Sequence, residues 1–127
     1  MEQTTTTPLT VIEKMEHLNE IKIFSRLSPP ELLLISEASS EISFESGTEI
    51  YREGDQAKEM FCLVRGKINL LRNGELIDTI LERKSFGTMG VLANKNRVTS
   101  AVCEAPSLCL RIPSDTLELD LCWPFKI

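Results

Sequence analysis

Over the first forty residues the apolar positions fall at helical spacing. Ile12, Met15, Leu18 and Ile21 or Ile23 recur every three or four residues, which predicts an amphipathic helix over roughly 10–20. The polar, threonine-rich stretch 1–9 ahead of it reads as a flexible tail. A second helix is marked by its capping chemistry. Ser28 caps it, Pro29 suits the first turn, and Glu31 completes a Ser-x-x-Glu box before Leu32, Leu33, Leu34 and Ile35. After Ser40 the pattern changes to short alternating runs between turn residues. Strands are predicted at Glu41–Phe44, Thr48–Arg52, Met60–Val64, Lys67–Arg72, Leu76–Leu81, Val98–Cys103 and Leu108–Ile112. Asn73-Gly74, between two such runs, signals a hairpin, because a type I′ turn needs positive φ at both central residues. Between Ser85 and Arg97 the β pattern lapses, and Phe86–Ala93 predicts a glycine turn into a very short helix. Ser114 is placed to cap a last short helix across Asp115–Leu121.

These elements predict a mainly β fold, an antiparallel β-roll or jelly roll (a double-stranded β-helix) with flanking helices. One domain over 10–127 is expected, with helices in 10–40, the roll in 41–112 and a short C-terminal helix in 113–122. A length of 127 residues leaves little room for a second domain. The net charge of −5 argues against sequence-independent nucleic-acid binding, which is driven by phosphate neutralisation with Lys and Arg. No apolar run approaches the roughly 20 residues that span a bilayer, and the N-terminus lacks the basic and apolar regions of a secretory signal. A soluble, cytoplasmic protein is expected.

Cys62, Cys103, Cys109 and Cys122 form no CxxC pair, so buried thiols are favoured over zinc ligands, with a Cys103–Cys109 disulfide as the alternative. The single histidine, His17, lies in a charged helical stretch and is expected to face solvent. One imidazole cannot build the multi-histidine metal centres of oxygenases, and no nucleophile–base pair is visible. An enzyme is not expected.

What remains is an anion-holding constellation. A glycine turn at Gly87, a one-turn helix and then Arg97 place free backbone N–H groups and a guanidinium near one another. Gly87 lets the backbone approach a phosphate without an intervening Cβ. Taken alone the pattern is weak, since an arginine that opens a strand is usually solvated or paired with a surface acid.

From about Ile23 to about Asp120 the chain resembles the cyclic nucleotide-binding domain family. Residues 23–32, in which Phe24 precedes the capped helix, look like that family's leading segment. Gly47-Thr48-Glu49-Ile50-Tyr51-Arg52-Glu53-Gly54-Asp55 is close to its Gly-x-x-Ile-x-x-x-Gly-Asp signature, and Met60–Ile68 resembles the next strand pair around Gly66. Phe86-Gly87-Thr88-Met89-Gly90-Val91-Leu92 sits where the family has its phosphate-binding cassette, with Arg97 at the spacing of the cassette arginine. The resemblance implies a regulatory module whose ligand is a cyclic nucleotide, with no further cofactor and no metal. Its site would comprise Phe86, Gly87, Thr88, Met89, Gly90, Val91, Arg97, Val98 and Thr99. Protein partners or a homodimer would carry the signal.

Three departures bear on that site. Thr88 stands where the family has a glutamate that accepts the ribose 2′-hydroxyl; losing a charged hydrogen bond of roughly 1.5–3 kcal/mol weakens binding about ten- to a hundredfold. Leu81–Ser85 replaces the usual Pro-Gly ahead of the cassette. The family's long C-terminal helix, which closes over the base, has no room before Ile127, and Trp123 is either a substitute base cap or a hydrophobe covering the roll. Val98 follows the arginine where guanine-preferring members often carry Thr or Ser, which favours cAMP over cGMP. Two readings of Arg97 stay open, a phosphate ligand or a residue kept by packing. The second corresponds to a domain that binds no nucleotide and serves as a protein-interaction module. A transcription factor of the catabolite-activator type would need a helix-turn-helix after the long helix, and that reading is expected to hold only if the chain is a fragment of a longer protein.

Overall fold

The computed structural model describes residues 8–117. Helix α1 (Val11–Asn19) begins at a capping box the sequence pattern did not flag: Thr10 Oγ1 accepts from the Glu13 N–H, and Glu13 accepts from the Thr10 N–H. A 3₁₀ turn (Lys22–Phe24) leads to α2 (Pro29–Ala38), whose Ser28–Glu31 box forms as expected. Leu9, assigned above to the tail, donates its N–H to Glu41 at 2.6 Å and packs on the helical core. His17 is half-buried rather than solvent-facing, because α1 packs on α2; its Nδ1 is enclosed without a hydrogen-bond partner among the described residues.

Eight strands follow among the described residues: β1 (Ser40–Phe44), β2 (Glu49–Tyr51), β3 (Glu59–Arg65), β4 (Ile68–Arg72), β5 (Glu75–Ile80), β6 (Ser85–Phe86), β7 (Ser100–Cys103) and β8 (Ser107–Pro113). They form two antiparallel four-stranded sheets, ordered β1-β8-β3-β6 and β2-β7-β4-β5. The β4–β5 hairpin turns at Asn73 (φ 52°) and Gly74 (φ 80°), both left-handed as the type I′ turn requires. Helix α3 (Thr88–Leu92) is inserted between β6 and β7, and α4 (Ser114–Leu117) follows β8. Ser114 is the first residue of α4 rather than a cap ahead of it. The remainder of the predicted 113–122 helix, with Cys122 and Trp123, lies outside the described residues.

Two apolar clusters hold these layers together, and β3 belongs to both. Its Met60, Cys62 and Val64 face Leu18, Phe24 and Ile35 of the helices, while Phe61 and Leu63 face Ile68, Ala101 and Phe86 between the sheets. A strand buried on both faces reads as a continuous apolar run, which is what Met60–Val64 is. The sequence-predicted strand at Val98 begins only at Ser100, with Val98 and Thr99 in a bend. Conversely β6 falls where the β pattern lapses, held by pairing of Phe86 with Phe61 and by rings stacked 5.1 Å apart. Two residues are too short to show periodicity.

Cys62, Cys103 and Cys109 are buried free thiols, so no Cys103–Cys109 disulfide forms. Burial pushes the Cys62 and Cys109 thiols from 9.0 up to about 12. The unfolded chain therefore releases these protons at lower pH than the native one. Their contribution is complete below pH 9 and is lost as pH rises towards 12. The denaturant midpoint should accordingly fall steadily above pH 9, and the Cys62→Ala/Cys109→Ala double variant should show a shallower fall over the same window. Native protein should leave these three thiols unlabelled by an aromatic disulfide reagent until it is unfolded.

Candidate functional site

The segment after α3 is tied down before Arg97 makes any side-chain contact. The Arg97 N–H donates to Asp55 O at 2.7 Å, and the Gly54 N–H donates to Arg97 O at 2.9 Å. An isolated bridge between Gln56 and Asn96 continues this pairing. The Glu53-Gly54-Asp55 turn thus has a second role beyond reversing the chain. Its acids form turn contacts: Asp55 Oδ2 accepts from the Arg52 N–H and Glu53 Oε1 from the Asn73 N–H.

Anchored in this way, the Arg97 side chain runs inward and is only 6% exposed. Nη1 donates to Gly87 O at 2.7 Å and Nη2 to Glu59 O at 2.5 Å. The guanidinium carbon lies 4.0 Å from the centroid of the Tyr51 ring, a cation–π contact. Nε is buried with no partner among the described residues. Burial lowers the Arg97 pKa, partly offset by Tyr51, Glu59 and Asp55, while burial raises that of Tyr51 against the pull of Arg97 and a hydrogen bond with Thr99.

Two glycines make room for this arrangement. A Cβ at Gly87 would sit 2.8 Å from Arg97 Nη1, and the φ of +75° there favours glycine in any case. A Cβ at Gly90 would meet the Ala57 Cβ at 2.8 Å. Gly87 precedes α3 without a side-chain cap, so the N–H groups of its first turn depend on solvent or a ligand. Upstream, Arg83 adopts φ +72° in the stretch that replaces Pro-Gly, taking the left-handed backbone itself. That loop is fixed by hydrogen bonds of Arg83 N–H to Leu63 O and Leu63 N–H to Lys84 O, and by an Arg83–Glu20 ion pair at 2.6 Å.

On the far side of Gly87 opens a cavity of about 370 Å³, within the range of small-molecule sites. Tyr51, Leu70, Ile80 and Phe86 supply its apolar surface; Ser85 and Gly87–Gly90 form the cassette wall; Asp78, Val98 and Thr99 complete the lining. Of the predicted site residues, Phe86, Gly87, Thr88, Met89, Gly90, Val98 and Thr99 come together here. Phe86 is also core, at 3% exposure. Two do not line the cavity: Val91 packs towards the helical core, and Arg97 lies behind the wall. Thr88 Oγ1 is buried without a partner among the described residues. Tyr51, Leu70, Asp78, Ile80 and Ser85 were not foreseen. Nothing local in the sequence shows that the strands carrying them share one cavity with the cassette.

Replacing Arg97 by alanine strips partners from two carbonyls and leaves a gap beside Tyr51. We expect a loss of about 2–4 kcal/mol in chemical denaturation, with Arg97→Lys losing less. An Arg97→Ala change of under 0.5 kcal/mol would show the enclosed geometry to be wrong.

The sequence model of the cyclic nucleotide-binding domain family matches residues 41–119. A cGMP-dependent protein kinase from Eimeria tenella is 24% identical over 106 residues, covering 84% of this chain and 11% of that protein. A cAMP-dependent protein kinase regulatory subunit from Debaryomyces hansenii is 27% identical over 97 residues, covering 74% of this chain and 22% of that protein. The chain thus spans between about a tenth and about a fifth of the length of these relatives. The regulatory domain of Toxoplasma gondii PKA, solved with cAMP, shares the fold with a TM-score of 0.82 at 21% identity, over 87% of this chain and 44% of that one. No helix among the described residues is long and apolar enough to cross a membrane, and no cluster of metal-ligating side chains occurs among them. With the family match running from the first strand of the roll past the last, and the cassette folded between β6 and β7, the chain belongs to the cyclic nucleotide-binding domain family.

Proposed function

We propose that this chain is a regulatory module that takes up a cyclic nucleotide, cAMP in preference to cGMP, in the cavity beside Gly87. The observation that carries this reading is the buried Arg97 guanidinium set directly behind the cassette, with a donor still unpaired at Nε. A cationic group in a low-dielectric wall, beneath the open N–H groups of a helix start, favours an anion on the cavity side. The cyclic phosphate rests on the backbone of residues 87–91 with Arg97 supplying charge, and Thr88 stands by the ribose. Val98, which has no hydroxyl to offer guanine, supports the preference for cAMP; the relatives include both cAMP- and cGMP-dependent kinases and do not separate the two. A cytoplasmic role exerted through a protein partner or a second copy belongs to the same reading, and the kinase regulatory subunit among the relatives supports a protein partner.

A second reading has its own support. Arg97 spends two donors on protein carbonyls and does not line the cavity, and Thr88 lacks a carboxylate. Those features favour a module that binds no nucleotide and acts through protein contacts.

Calorimetric titration with cAMP and then cGMP, up to millimolar, separates the two. Micromolar cAMP binding is expected, with Thr88→Glu binding about tenfold tighter because a charged acceptor is restored. Absence of heat with either nucleotide, from protein shown to be folded, would leave the interaction module as the function.

A further inference from the structure

Resting on the nucleotide assignment above, we propose that Asp78 reads the base, accepting a hydrogen bond from the exocyclic amino group of adenine. Asp78 is the one side chain with a formal charge among the described residues that line the cavity. It lies on β5 opposite Leu70, where the pairing with β4 shifts register between Leu70 and Leu71. A bulge of this kind re-aims side chains. Leu70 and Ile80 line the same cavity, and Ile80, two residues on, shares the Asp78 face of the strand. Oδ1 accepts the Thr79 N–H at 2.8 Å. No ion pair neutralises the carboxylate among the described residues, so Oδ2 and the remaining lone pairs are open to a ligand.

Charge decides which end of a nucleotide faces this group. A phosphate beside an uncompensated carboxylate is repelled, whereas Arg97 attracts it at the Gly87 wall. Asp78 therefore meets the base. An ionised carboxylate accepts and does not donate. Adenine presents an amino donor beside N7; guanine presents O6 and N7 at the same edge, both acceptors. Met89 and Val98, 73% and 64% exposed, offer apolar surface at the cavity, and the hydroxyls of Tyr51, Ser85, Thr88 and Thr99 both donate and accept, so Asp78 is the lining side chain that accepts only.

The test is competition binding of cAMP, cGMP and inosine 3′,5′-cyclic monophosphate, in which a carbonyl replaces the adenine amino group. Wild type, Asp78→Asn and Asp78→Ala are compared. Wild type should favour cAMP over the inosine nucleotide about tenfold. Asp78→Asn, whose amide donates to O6, should bring that ratio to about one or below, and Asp78→Ala should weaken cAMP without improving the analogue. The position is exposed, so the melting temperature should not move. A cAMP-to-inosine ratio that is the same in all three proteins overturns the role of Asp78 and leaves nucleotide binding standing. A wild-type preference for cGMP that Asp78→Asn abolishes overturns the adenine assignment. Wild type that binds none of the three overturns both this role and the function on which it rests.

Discussion

Enclosing the Arg97 guanidinium sets terms that the surrounding chain has to meet. A buried cation is costly unless acceptors and polarisable surface surround it. Here Gly87 O, Glu59 O and the Tyr51 face supply them from three separate elements. Each supplier is then constrained in turn. Gly87 has no room for a Cβ, Tyr51 stays inward on β2, and Glu59 fixes where β3 begins. The cassette wall stands where it does because its carbonyl is bonded to a side chain whose own backbone is pinned by Gly54 and Asp55.

Strand β3 connects this arrangement to the rest of the fold. Its first residue accepts from Arg97, Phe61 stacks on Phe86 at the start of the cassette, and Leu63 holds the loop ahead of it. Its other face carries the helices through Met60, Cys62 and Val64. The Arg83–Glu20 ion pair adds a direct tie from that loop to the end of α1, although water screens an exposed pair of this kind and it adds little stability. Cassette and N-terminal helices therefore share one doubly buried strand. A ligand that shifts the cassette has a short packed route to the helices.

The cavity divides its chemistry between backbone and side chains. Its cassette end relies on N–H groups and a cation behind glycine, and its remaining surface is apolar except for the hydroxyls and Asp78. Family membership explains the scaffold and not the ligand, because recognition resides in individual groups placed on it. Thr88 and Asp78, both lining the cavity, are the groups proposed for that role.

Local chemistry accounts for what was legible in the residues alone. The Ser28–Glu31 box, the Asn73-Gly74 turn, the alternating strands and the short helix after Gly87 are each specified within a few neighbouring residues, and each forms. The run Met60–Val64 was legible as a strand, and the cassette was legible through the family resemblance of Phe86–Leu92 and Arg97, the spacing of Gly87 and Arg97 being weak alone. Other features depend on residues far apart in the chain. Whether Arg97 faces solvent or turns inward is decided by Glu59, 38 positions away, and by Tyr51 beneath it. The two-residue strand at Phe86 exists because Phe61 offers it a ring, the bend at Val98 because the turn at Gly54 and Asp55 holds the preceding arginine, and the half-burial of His17 because α1 packs on α2. Asp78 carries no local sign of its place in the cavity, since only closure of the roll brings β5 alongside the cassette. Sequence by itself determined most of the elements, through short-range capping, turn and periodicity signals, and it carried the family in the motif residues that the chain shares with it. The tertiary structure decided which side chains share a site, because that depends on distant segments packing together.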